Sequence, residues 1–317
     1  MKYRILGRTG LKVSETGFGA WAIGGNKYGN SYGPTDDHDS LFALKTAYEL
    51  GCNFIDTADV YGYGHSEDII GFFLSQIRRE EMIVATKVGG DFYSGIIKRN
   101  YSPDYIRFAA DRSLMRLRTD YIDLYQLHNP PLEFIKDGEI FEVMHELKQQ
   151  GKIRFFGIAI DDSVEGIEAM KWEGVDTIQV VYNLFDPEAA DELFPYAERE
   201  NIGIIAREPL ANGLLTGKYN ENTYFPPGDI RHAWPVSYIG YRTRATQSLT
   251  PLLNDEIDSF AKLSLKFVLA NDSVGTVIPG CKNASQAMED IGVSNLRDLT
   301  PLELDYLNKL YHKRFNV

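Results

Sequence analysis

Two rhythms alternate along the chain. Short apolar runs, several of them ending in a polar side chain, are followed by longer stretches whose apolar residues recur at helical spacing. The runs Thr16 to Gly19, Asn53 to Asp56, Met82 to Val88, Tyr121 to Leu127, Ile153 to Ile160, Thr177 to Tyr182, Gly203 to Arg207 and Val274 to Ile278 read as eight core strands. Between them, Leu41, Leu44, Ala47 and Tyr48 fall on one helical face, and Gly51 stops that helix where a left-handed residue is wanted. Ser102 followed by Pro103 predicts an N-cap and a helix running to Leu117. Further helices are predicted to begin at Ser66, Ser163 and Pro301, and near Glu139, Ala189, Asp255 and Asn283. A short hairpin, Tyr3 to Leu6 against Leu11 to Val13, precedes the first unit.

Strands and helices in alternation force parallel pairing through right-handed crossovers. Eight such units close into a barrel more naturally than they form an open doubly wound sheet. The predicted fold is therefore an α/β class (β/α)8 TIM barrel with an N-terminal β-hairpin and an extra C-terminal helix, one domain across residues 1–317. Residues 212–254 break the rhythm after the seventh strand. Rich in Gly, Pro, Tyr and Asn and too long for an idle connection, they are predicted to cover the barrel mouth. The stretch Gly17-Phe18-Gly19-Ala20-Trp21-Ala22 has the G-x-G-x-x-A spacing of a dinucleotide fingerprint. Gly24 and Gly25 follow where that motif needs a helix, which argues against a Rossmann site.

Composition narrows the partners. With 33 Lys and Arg against 45 Asp and Glu the net charge is −12, and no basic cluster offsets it, so nucleic acid and anionic membrane surfaces are disfavoured. No apolar run approaches the roughly 18 residues that cross a bilayer. The segment Met1 to Gly10 does not read as a secretory leader, and Cys52 and Cys281 form no CxxC pair, so a reduced, cytoplasmic protein is expected. The six histidines are scattered without metal-ligand spacing, and no metal site is predicted. The pattern carries no signal for oligomeric state.

In a barrel of this kind the reactive groups sit at the C-terminal ends of the strands. Asp56 ends the second strand and Tyr61 follows in its loop, Lys87 ends the third, and His128 ends the fourth, so all four are predicted to face one cavity. A free tyrosine, with a pKa of about 10, is a poor proton shuttle at neutral pH, and a nearby ammonium lowers that value. Lys87 is placed to do this for Tyr61, with Asp56 as its counter-charge and His128 orienting a carbonyl oxygen. Together they suit general acid catalysis of carbonyl reduction. Taken singly, each has an ordinary alternative, a packing tyrosine or a solvated lysine. Their joint placement gives them weight.

The segments Asp56-Thr57-Ala58-Asp59-Val60-Tyr61-Gly62, Ala85-Thr86-Lys87 and Asp120 to His128 resemble the signature segments of the aldo-keto reductases. So do Gly151 to Arg154 with Gly157, the segment Gln179 to Asn183, Pro209-Leu210 with Gly213 to Lys218, and Ile278-Pro279-Gly280. The resemblance spans nearly the whole chain and is nearest to a bacterial branch similar to potassium-channel β subunits. It implies an oxidoreductase acting on a small carbonyl or alcohol substrate, with NADP(H) favoured over NAD(H) by family habit. By that resemblance the cofactor lies along Gln179, Arg207, Pro209, Leu210, Gly213, Lys218, Gly280, Lys282, Gln286 and Asp290, with Gln179 on the nicotinamide carboxamide. Trp21 and Trp234 become candidate substrate walls, against a competing reading as core aromatics.

Departures from the family pattern matter here. Ala159 and Ile160 stand where many members bind the carboxamide with Ser-Asn, which removes that contact or moves it, for instance to Asp161. Arg207 replaces an aromatic that stacks on the nicotinamide, and Gln286 replaces the arginine that grips the 2′-phosphate. Two rivals follow: an NAD-dependent sugar or alcohol dehydrogenase, and a nucleotide-binding regulatory barrel that senses redox state.

Overall fold

The structure is a computed structural model describing residues 1–27 and 31–315. Hairpin strands β1 (Tyr3–Ile5) and β2 (Lys12–Ser14) pair antiparallel ahead of the barrel. The eight barrel strands are β3 (Phe18–Gly19), β4 (Phe54–Asp56), β5 (Ile83–Val88), β8 (Ile122–His128), β9 (Ile153–Ala159), β10 (Val175–Val181), β11 (Gly203–Arg207) and β12 (Val274–Val277). Each lies within two residues of the bounds read from the sequence. A small hairpin, β6 (Gly90–Asp91) with β7 (Lys98–Arg99), follows β5 and had no signature in the pattern. The helices are α1 (Asp37–Glu49), α2 (His65–Leu74), α3 (Pro103–Leu117), α4 (Leu132–Asp137), α5 (Glu139–Gln149) and α6 (Ser163–Ala169), then α7 (Ala189–Glu192), α8 (Phe194–Arg199), α9 (Val236–Gln247), α10 (Phe260–Leu269), α11 (Ala284–Gly292) and α12 (Pro301–His312).

The parallel strands run in the order β12-β11-β10-β9-β8-β5-β4-β3, and the two ends of the sheet meet. Parallel bridges join Thr16 to Val277 and Gly19 to Gly280. Gly17 N donates to the Val277 carbonyl at 2.8 Å, Gly19 N to Pro279 at 2.9 Å, and Val277 N to Glu15 at 2.9 Å. The barrel is closed, which is how an all-parallel sheet leaves no open edge.

Two apolar layers hold it. Between sheet and helices, outward-facing residues such as Val84, Val88, Tyr125, Leu127 and Ile158 pack with Ile70, Phe73, Ile106 and Leu147. Inside the barrel, Phe54, Ile83, Ala85, Leu124 and Ile205 form a lower layer that the hairpin plugs with Leu6, Leu11 and Val13. That plug fills the N-terminal end of the barrel.

Two local expectations change and a third gains detail. Ser102 precedes α3, but its hydroxyl bonds Asn100 Oδ1 at 2.9 Å and caps no backbone amide. The helix expected near Asp255 starts at Phe260, because Ser259 is the residue whose side chain accepts from a first-turn amide, that of Lys262. Residues 212–254 do reach the mouth, where Asn212, Gly213, Thr216, Lys218, Tyr219 and Arg231 line the cavity, but they are more than a cover. They contain α9, and Leu214, Leu215, Ile239, Ala245 and Leu249 pack with Leu263 of α10 and Leu307 and Leu310 of α12 in an apolar cluster of their own. Among the described residues no helix is long and apolar enough to cross a membrane.

Candidate active site

The loop after β4 is held from three sides. Thr57 Oγ1 meets Ser66 Oγ at 2.9 Å, and Ser66 Oγ donates to the Ala20 carbonyl at 2.9 Å, tying α2 to the loop after β3. Glu67, fully buried, accepts from Thr86 Oγ1 at 2.6 Å and Arg116 Nε at 2.7 Å, tying α2 to β5 and α3. Gly62 adopts φ +61°, and a Cβ there would fall 2.1 Å from the Gly24 carbonyl oxygen, so the backbone after Tyr61 crosses that of Gly24 where no side chain fits. Gly24 ends a 3-10 turn (Ala22–Gly24) where a dinucleotide fingerprint would need a longer helix, in keeping with the sequence reading.

This scaffold brings the four predicted groups together. Lys87 Nζ donates to Asp56 Oδ2 at 2.6 Å, to the Thr57 carbonyl at 2.8 Å and to Tyr61 Oη at 3.4 Å. Lys87 and Asp56 are 1% and 2% exposed, so this is a buried ion pair. The other carboxylate oxygen, Asp56 Oδ1, accepts from Gln126 Nε2 at 3.0 Å and Gln179 Nε2 at 2.8 Å, which link β4, β8 and β10 across the lumen. The Tyr61 ring stacks on Trp21 at 5.8 Å and meets the His128 ring edge-on at 5.9 Å.

The electrostatics differ from the sequence expectation in one respect. Burial pushes the Tyr61 phenol above its ordinary value, and Lys87, which pulls it down, does not outweigh that. Burial alone would lower the Lys87 ammonium, but the Asp56 carboxylate and Tyr61 hold it above its usual value. Burial, then Lys87 and Arg207, drive the His128 imidazole well below its ordinary value. At neutral pH the cluster therefore presents a protonated phenol, an ammonium and a neutral imidazole.

Asp56, Tyr61 and His128 line a cavity of about 520 Å³, with Lys87 just beneath it. All ten residues named from the resemblance as cofactor-binding also line it, from Gln179 and Arg207 to Lys282, Gln286 and Asp290. Trp21 is on the wall, but Trp234 is not. Trp234 packs against Phe225 and Tyr238 at 6.2 and 5.4 Å, so its candidacy as a substrate wall is corrected to core packing.

Sequence reasoning expected residues 212–254 over the mouth but missed the loop after β3 that meets them there. Tyr32, in the loop after β3, bonds Asn212 Oδ1, and its carbonyl accepts from Lys282 Nζ at 2.6 Å. Ser31 bridges Asp229, and Ile230 N donates to the Ser31 carbonyl at 3.1 Å. Arg231, buried and paired with Asp229 at 2.7 Å, also bonds the Asn212 carbonyl and Tyr219. These contacts link loops far apart in sequence, and no short-range pattern encodes them. One His/carboxylate group also comes together among the described residues, Asp36, His38 and Asp39, all exposed, where Asp36 caps α1.

Residues 16–312 match the aldo/keto reductase family. The chain belongs to the aldo-keto reductases. This reductase is 34% identical over 97% of its length to the uncharacterized oxidoreductase YqkF of Bacillus subtilis, covering 95% of that protein. It is 30% identical over 93% of its length to the NADH-specific methylglyoxal reductase of Escherichia coli, covering 94% of it. Among solved structures it resembles the holo form of the aldo-keto reductase AKR11C1 from Bacillus halodurans, with a TM-score of 0.80 at 31% identity and full coverage of both chains. It is accordingly an NAD(P)-dependent oxidoreductase.

At the far end of the reductase's cavity, Gln286 Oε1 accepts from Lys282 N at 2.7 Å, and Glu289, Asp290 and Lys218 complete the wall. Burial, then Glu289, pushes the Asp290 carboxyl up to about 7. A carboxyl raised in the folded state contributes stability that is fully present below its unfolded value and is lost as pH rises through about 7. Asp290→Asn is therefore expected to stabilise the protein, with a gain that grows by about 2 kcal/mol between pH 5 and pH 8. Denaturant titrations at the two pH values test this, and a pH-independent difference would refute it.

Proposed function

We propose that this aldo-keto reductase reduces small aldehydes or ketones with NADP(H), Tyr61 donating the proton to the carbonyl oxygen. The observation that carries the reading is the chain Asp56–Lys87–Tyr61 opening into the cavity beside a neutral His128. When bound, the nicotinamide cofactor supplies or accepts the hydride. The residues fit such a group: the cavity lies in the size range of cofactor pockets, and Lys218 and Lys282 offer cations for its phosphates. Arg207 and Asn129 also line the cavity.

The protein's own groups then divide the work. A phenol kept protonated by burial is ready to donate, and the Lys87 ammonium stabilises the phenolate left behind. A neutral His128 can hydrogen-bond the carbonyl oxygen without competing as the acid. Trp21 shields one side of the Tyr61 ring. The reverse reaction needs Tyr61 as a base, so alcohol oxidation should climb with alkaline pH while reduction stays flat across neutrality.

The test is reduction of a panel of small aldehydes between pH 6 and pH 9, followed by cofactor absorbance, with dissociation constants for NADPH and NADH from quenching of intrinsic fluorescence. Tighter NADPH binding by about tenfold, or about 1.4 kcal/mol, is expected. Glu289 and Asp290 favour a second reading, because carboxylates suit a ribose diol better than a phosphate. Equal or tighter NADH binding would select that reading and an NAD-dependent dehydrogenase. Binding of neither would end both.

A further inference from the structure

Behind the Asp56–Lys87–Tyr61 chain stands a buried amide that does not touch the cavity. Gln126 lies two residues before His128 in β8, in register with Lys87 of β5 on one side and Gly157 of β9 on the other. It is fully buried and is not among the residues of the cavity wall, whereas Gln179 is. Gln126 Nε2 donates to Asp56 Oδ1 at 3.0 Å, and its Oε1 accepts from Gln179 Nε2 at 3.3 Å. Gln179 Nε2 also reaches Asp56 Oδ1, at 2.8 Å, so the carboxylate and the two amides close a triangle. A carboxylate only accepts, so the Gln126 amide has to turn its NH2 toward Asp56 and its oxygen toward Gln179.

The triangle decides where Lys87 points. An ammonium has three N–H groups at tetrahedral angles, so two of its partners fix the direction of the third. Those of Lys87 go to Asp56 Oδ2 at 2.6 Å, to the Thr57 carbonyl at 2.8 Å and to Tyr61 Oη at 3.4 Å. Thr57 is anchored through its backbone, its N–H donating to the Ala85 carbonyl at 2.8 Å. The Asp56 carboxylate ends a side chain whose last torsion turns over a broad range, so it is steadied by what binds its other oxygen. Of the two amides that do so, Gln179 lines the cavity, where a ligand can compete for it. The grip of Gln126 does not depend on what the cavity holds.

We propose that Gln126 is a positioning residue for proton transfer, holding Asp56 Oδ1 so that Oδ2 aims the Lys87 ammonium at the Tyr61 hydroxyl. This rests on the reading of Tyr61 as proton donor above. Loss of the Gln126 bond acts on Tyr61 by two routes of the same sign. Lys87 pulls the pKa of the phenol down and Asp56 pushes it up. A Lys87 no longer aimed at Tyr61 pulls less, and a carboxylate with one donor fewer pushes more. The phenolate is then less stable, and reduction and oxidation slow together, because the equilibrium between carbonyl and alcohol is untouched.

Gln126→Met tests the assignment, since methionine keeps the length of the side chain and loses its hydrogen bonds. With the best aldehyde of the panel above and its alcohol, kcat at pH 7 should fall about 3–10-fold in both directions, and the alkaline rise of alcohol oxidation should move up by about one pH unit. KM and the NADPH dissociation constant, the latter from quenching of intrinsic fluorescence, should stay within about twofold of wild type, because Gln126 meets no ligand. Added to Tyr61→Phe, Gln126→Met should slow the residual turnover no further, because both act on one proton transfer. An unchanged kcat and pH profile, an additive loss in the double variant, or a loss of fold or cofactor affinity in step with turnover overturns the proposal. A wild type whose oxidation does not rise with pH, or a Tyr61→Phe enzyme at full speed, overturns the reading of Tyr61 itself.

Discussion

Tyr61→Phe is expected to lower kcat for carbonyl reduction by about 10²–10⁴-fold while leaving the cofactor dissociation constant within about twofold of wild type. The substitution removes a hydroxyl and little else. The ring keeps its stack on Trp21 and its edge contact with His128, so the cavity wall survives. Lys87 loses its longest hydrogen bond, at 3.4 Å, and keeps Asp56 and the Thr57 carbonyl, so the buried charge stays solvated by the protein. Steady-state rates and cofactor titrations on one preparation separate the outcomes. Parallel loss of binding and turnover would make Tyr61 a wall residue, and unchanged turnover would move proton donation to another group. A barrel that only senses nucleotide would lose nothing measurable.

Lys87→Met should cost more than activity. It leaves the Asp56 carboxylate, 2% exposed, with only the Gln126 and Gln179 amides as donors. Removing one partner of a buried ion pair typically destabilises by about 3–5 kcal/mol, because the remaining charge is stranded. The double variant Lys87→Met with Asp56→Asn should recover most of the stability and none of the turnover. Urea unfolding of both variants decides the matter. A double variant as unstable as the single one would mean that packing of the lysine stem, not charge, holds the barrel here.

Much of this was legible in the chain because its signals are local. A strand of the barrel is a short apolar run with a polar residue at its end, and Asp56, Lys87 and His128 occupy those ends. Their convergence needed only the rule that strands of a parallel barrel point the same way. The energetic balance at Tyr61 was not legible. Sequence names the lysine that lowers its pKa but not the degree of burial that raises it. Trp234 was ambiguous for the same reason, since an aromatic in a long insertion reads alike whether it faces a ligand or Phe225. Arg231 and Tyr32 belong to loops that meet only in three dimensions.

The seam of the barrel has a consequence for how the molecule is made. Gly19 and Gly280 both line the cavity, and they are joined to each other across the closing bridge. Until a growing chain has extended past Gly280, β3 has no neighbour on one side, and the first strands must wait with an exposed edge through the synthesis of nearly all the rest. The contact that closes the sheet spans most of the chain, so its loop-closure cost falls late and folding should be slow for a protein of this size. The pocket wall is thus among the last surfaces to exist. A nascent or truncated chain lacking β12 could hold most of its secondary structure and still have no place for a ligand to bind.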